Sequence, residues 1–102
     1  MRLVIVSCPP QEADSLLTSL LQERLVGCGN ILPGVKSRYW WEGRICEDQE
    51  ALIFMETEEE KVPALLARIP QLHSYEVPKV LVLAVGETLG AYAGWLRAVI
   101  AG

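Results

Sequence analysis

Tyr39-Trp40-Trp41-Glu42-Gly43-Arg44-Ile45 decides the fold, because Glu42-Gly43 falls between two β-forming runs in the manner of a hairpin tip. Around it Val35, Leu52, Ile53 and Phe54 keep most of residues 30–57 in strand. Pro33-Gly34 reads as a second turn signal. The hairpin arms are therefore expected from Lys36 to Trp41 and from Arg44 to Glu56. Such a hairpin is longer than so small a chain requires, and its tip is heavily aromatic.

Working outward, Leu3 to Ser7 is a β-branched run ended by Cys8-Pro9-Pro10, the pattern of a central strand buried on both faces. Between Glu12 and Val26 the apolar positions Ala13, Leu16, Leu17, Leu20, Leu21 and Leu25 recur at helical spacing, and Gly27 or Gly29 is available to end that helix. On the other side of the hairpin, Thr57 followed by Glu58-Glu59-Glu60 reads as a capped helix start. Val62, Leu65, Leu66 and Ile69 form its buried stripe and Pro70 its stop. Val77 to Val85 reads as a further strand, with Pro78 making its first residues an edge or an irregular start. Leu89 to Ile100 is a last helix carrying Tyr92, Trp95, Leu96 and Val99.

The order is βαββαβ plus a C-terminal helix: a single α+β domain over residues 1–102, the ferredoxin-like sandwich in which two helices cover one face of a mostly antiparallel sheet. The second sheet face and the Trp-rich tip would stand in water unless something packs on them. Both features predict an oligomer.

Composition narrows the function. Hydrophobic residues make up 51% of the 102 and charged residues 22%, so one core can form without a metal or disulfide. Net charge is -4, which repels phosphate backbones and gives nucleic acid no footprint. Three cysteines, Cys8, Cys28 and Cys46, have neither CxxC nor zinc-finger spacing and read as reduced thiols in a cytoplasmic protein. No apolar run approaches the ~20 residues of a membrane span. No Gly-rich phosphate loop, Ser-His-Asp set or HExxH is present, so a non-enzymatic role is expected.

Several segments together resemble the CutA family: Glu23-Arg24-Leu25-Val26-Gly27-Cys28-Gly29-Asn30-Ile31-Leu32-Pro33-Gly34, then Tyr39-Trp40-Trp41-Glu42-Gly43, the acidic Glu47-Asp48-Gln49-Glu50, His73-Ser74-Tyr75-Glu76-Val77-Pro78, and Tyr92 with Trp95-Leu96. The likeness covers essentially the whole chain in the family's order. It implies a ferredoxin-like protomer assembled as a homotrimer, PII-like in architecture, with hairpins reaching across neighbouring subunits. It also implies a role in tolerance to divalent cations, copper above all. Two positions depart from the family pattern: Lys79 follows Pro78 where a Glu is usual, and Ser74 replaces a Pro between His73 and Tyr75.

Among chemical groups, His73 is the only histidine, and with Cys28 and Glu76 it is the first candidate for a copper or other divalent-metal site. The alternative is a hydrogen-bonded histidine capping the second helix. Cys28, between two glycines at the expected end of the first helix, where the negative end of the dipole disfavours a thiolate, reads first as a small packing group. Arg38, Tyr39, Trp40, Trp41, Tyr75, Lys79 and Trp95 are expected at an intersubunit cleft or interface. The resulting functional reading is a homotrimer that binds divalent ions weakly between subunits. Its rivals are a regulatory module holding a small anionic metabolite through Lys79 and Arg38, and a scaffold for a membrane or enzyme partner.

Overall fold

A computed structural model describes residues 1–102. Its elements run β1 (Arg2–Cys8), α1 (Ala13–Gln22), β2 (Cys28–Trp41), β3 (Arg44–Thr57), α2 (Val62–Leu72), β4 (Val80–Ala84) and α3 (Gly90–Ala101). The four strands form one sheet in the order β2-β3-β1-β4, and every neighbouring pair is antiparallel. β1 is central, as its unbroken apolar run requires, and this is the split β-α-β arrangement.

Strand alternation divides the sheet into two unlike faces. On one face Val4, Val6 and Cys8 of β1 lie opposite Met55, Ile53 and Ala51 of β3. They pack beneath Leu16, Leu17 and Leu20 of α1 and Leu65 and Ile69 of α2, forming one buried cluster. On the other face stand Leu3, Ile5, Leu52 and Phe54, half-buried, with exposed Leu32, Leu81 and Leu83. Beyond one end of this face, α3 anchors Leu96 and Ile100, both buried. On its helix face β1 is thus buried at Val4, Val6 and Cys8, whereas on the other face Leu3 and Ile5 are half-buried and only Ser7 is buried.

The hairpin is longer than expected. Pro33-Gly34 makes no turn: two residues face the single Ala51, a bulge that bends β2 and leaves it paired. Gly34 takes φ 71 there, a conformation open to glycine without strain. Glu42 and Gly43, with φ 49 and 79, form the tight two-residue tip. Beyond the bulge, seven residues of β2, Val35 to Trp41, pair only with β3. At ~3.3 Å per residue this arm projects about 23 Å. It accounts for the elongated shape, 45 × 26 × 22 Å.

Four local expectations are corrected. α1 stops at Gln22 because Arg24 turns to φ 56, so neither Gly27 nor Gly29 caps it. Those glycines permit close packing instead: a Cβ on Gly27 would lie 2.4 Å from Leu96 Cδ1, and one on Gly29 2.4 Å from Leu17 Cδ1. Thr57 does not cap a helix; it ends β3, and its buried hydroxyl donates to the Leu25 carbonyl at 2.7 Å. Pro70 lies inside α2 rather than stopping it, since it removes one N–H near an end already closed by His73 N–H donating to Ile69 O at 2.9 Å. Finally β4 begins at Val80, and Val77-Pro78-Lys79 belong to the preceding loop.

Ile53 has no exposed surface and sits at the centre of the core beside Val6. Ile53→Ala is expected to lower unfolding free energy by about 2–5 kcal/mol, read from denaturant titration at fixed protein concentration.

Candidate functional site

At the root of the arm, β2, β3 and the loop 75–79 enclose a cleft of about 500 Å³. Arg38, Tyr39, Trp40, Trp41, Tyr75 and Lys79 all line it, as does Glu76. Ser7, from the end of β1, and Glu50, from β3, complete its floor.

Alternation along the arm sorts the charges. Arg38 faces Glu47 across the strands, and its Nε donates to Glu47 Oε1 at 2.9 Å. On the opposite side Asp48 and Glu50 point together, two residues apart. The Tyr39 hydroxyl donates to Asp48, and the Tyr75 hydroxyl donates to Glu50 Oε2 at 2.7 Å. Glu50 is only 5% exposed, so its carboxylate is held in the protein rather than in water.

His73 fixes the loop that carries Tyr75. Its ring is buried; Nε2 lies 2.7 Å from the Ser7 carbonyl and Nδ1 accepts from the Tyr75 backbone N–H at 3.1 Å. A carbonyl cannot donate, so Nε2 carries the proton and the ring is the neutral tautomer. The His73 and Tyr75 rings also pack, with centroids 4.7 Å apart. His73 is thus the hydrogen-bonded cap of α2, and both ring nitrogens are engaged within the chain.

The three residues considered for a metal do not converge in one protomer. Cys28 begins β2 rather than ending a helix. By register it is level with Leu3 through Glu56, whereas His73 bonds Ser7. Four residues of strand, about 13 Å, separate those levels. Glu76 is exposed on the cleft rim. No group of three or more His, Cys, Asp or Glu side chains is placed to hold an ion, so a resident metal does not fit the donors of a single chain. Trp95 is also away from the cleft: it stacks on Tyr92 with centroids 5.6 Å apart, and the Tyr92 hydroxyl donates to Glu56 Oε1 at 2.6 Å.

Glu50 is the charged cleft residue that sequence reasoning did not single out. It sits in an acidic run whose neighbours alternate, and only its burial and its bond to Tyr75, both long-range facts, distinguish it from Asp48. No helix is long and apolar enough to cross a membrane.

These features define a class: an α+β domain of the split β-α-β kind, with one open apolar sheet face and an aromatic, carboxylate-floored cleft beneath a projecting hairpin. The chain belongs to the CutA1 divalent ion tolerance protein family, whose model matches residues 2–99. It is 39% identical over 95 residues to the divalent-cation tolerance protein CutA of Thermus thermophilus, covering 92% of each. It is 36% identical to human protein CutA, of whose length the match spans 53%. The crystal structure of CutA1 from Pyrococcus horikoshii superposes with a TM-score of 0.92 at 33% identity over 97% of both chains.

The hydrogen bonds to carboxylates also move proton equilibria. Tyr39 is pushed up to about 12 by its bond to Asp48, while Tyr75 and Tyr92 are raised by burial and then by their bonds to Glu50 and Glu56. Burial pushes the Cys8 thiol up to about 11. Each group holds its proton more tightly folded than unfolded. Their stabilisation is therefore complete below the ordinary tyrosine and thiol values, roughly pH 8.5–10, and is lost as pH rises through the folded values. An ultraviolet titration of tyrosinate is expected to show no native tyrosine ionising at about pH 10, with stability falling above it. Half-ionised tyrosines in folded protein at that pH would refute the three bonds.

Proposed function

We propose that the protein serves divalent-cation tolerance as a homotrimer of PII-like architecture, taking divalent ions, copper among them, weakly and at clefts shared between subunits. The observation that carries this reading is the pairing of an apolar open face with a projecting arm. Leu32, Leu81 and Leu83 are exposed on the sheet, and Trp40 and Ile45 are 72% and 63% exposed on the arm. Surfaces of this kind mark subunit contacts.

The incomplete donor set points the same way. A chain that offers Cys28 and Glu76 far apart completes a coordination shell only with groups from another copy. His73 would have to surrender one of its two hydrogen bonds to join, which makes it the weakest of the three candidates. The role is binding rather than catalysis, in a cytoplasmic setting.

Sedimentation at micromolar concentration is expected to give three times the 11.3 kDa chain mass. Leu83→Glu, placing a charge on the open face, is expected to yield smaller species that lose measurable Cu²⁺ binding in calorimetry. Undiminished copper affinity in a folded monomeric variant would sink the shared-cleft reading.

A further inference from the structure

The cleft beneath the arm combines two features that the metal reading leaves unused. Its floor holds Glu50, nine-tenths buried, with Oε2 engaged by Tyr75 while Oε1 receives no hydrogen bond from the protein and is not sealed from the cleft. Its walls are aromatic, supplied by Tyr39, Trp41 and Tyr75; Trp40 alternates to the other side of the arm. We propose that this cleft binds a small organic cation, an alkylammonium or quaternary ammonium group, whose charge rests against Glu50 Oε1 beside the rings of Tyr75 and Tyr39, with Trp41 farther along the same cleft.

The chemistry of the lining selects this class. Aromatic rings present negative π faces and no lone pairs suited to a hard or borderline metal ion, but they attract ammonium groups strongly when water is excluded. The buried Glu50 oxygen supplies the close counter-charge that an ammonium requires and falls short of a metal's shell, while Glu76 adds negative charge at the exposed rim. A volume of about 500 Å³ is that of a small-molecule site.

An anion fits less well. Arg38, one of the two lining cations, already donates to Glu47 at 2.9 Å, and its side chain is 68% exposed. Lys79 is exposed at the rim, where water and salt screen it. Glu50 is buried, so it dominates the field inside the cleft. Neither the metal nor the shared-cleft reading is needed for this inference, which uses the cleft of one chain.

The test is a titration of the intact protein with propylammonium and tetramethylammonium chlorides, at ionic strength held constant with sodium chloride, read by tryptophan fluorescence and by indole N–H shifts in NMR. Sodium phosphate and Zn²⁺ are run as separate arms. Saturable shifts centred on Trp41, with Trp95 unmoved, are expected. Glu50→Gln should weaken the ammonium about tenfold, the loss typical of one charge-assisted bond, and Lys79→Gln should tighten it. The opposite signs, or saturation by phosphate or Zn²⁺ in place of ammonium, would overturn the proposal. So would no saturable response at all, the outcome expected if another subunit fills the cleft. Should Glu50→Gln fail to fold, the residue-resolved shifts in the wild type and the Lys79→Gln comparison decide alone.

Discussion

Two helices can cover only one face of a four-stranded sheet, and this sheet is apolar on both. Val4, Val6, Ile53 and Met55 are sealed beneath α1 and α2, whereas Leu81, Leu83 and Leu32 are left open. Burying apolar surface is the main favourable term in folding and association, worth about 25 cal/mol per Å². A chain that leaves such a face uncovered has stability in reserve for contact with further copies. The open face, the arm and the cleft at the arm's root all follow from that asymmetry.

The bulge at Pro33-Gly34 turns the asymmetry into an arm. A true turn there would have ended β2 at the edge of the sheet. By absorbing one extra residue against Ala51, the strand bends and continues to Trp41, carrying two tryptophans well past β1. The same continuation carries Tyr39 and Trp41 along the cleft that begins at Glu50, while His73 pins the returning loop so that Tyr75 reaches that carboxylate. Cleft and arm are therefore two results of one backbone irregularity and one buried imidazole.

Element order, the centrality of β1, the hairpin tip and most core-facing residues of α1 and α2 were legible because period and turn chemistry are local, although Leu66, expected in the buried stripe of α2, and Leu21 of α1 are exposed. The errors share a different cause. Thr57, Gly27 and Gly29 looked like helix punctuation, but Thr57 is claimed by Leu25 O, and the glycines by Leu96 and Leu17, partners far away in the chain. Pro70 misled because proline breaks a helix in its interior but costs only one bond near its end. Arg38, Tyr39, Trp40, Trp41, Tyr75 and Lys79, grouped from the sequence as residues of an intersubunit cleft or interface, line one cleft within a single chain, whereas Trp95 lies apart from it, because α3 packs at the Cys28 end of the sheet. Glu50 was invisible, since no local signal tells a buried carboxylate from a solvated one.

Amide hydrogen exchange along the arm addresses most directly whether its open surfaces are covered by other copies. If they are, the amides of residues 36–49 exchange slowly, with protection approaching that of β1, although the arm makes no ladder with any other strand of its own chain. If the arm instead stands in water, those amides exchange orders of magnitude faster than β1 at every protein concentration, and the account of an oligomer closed around this hairpin is wrong.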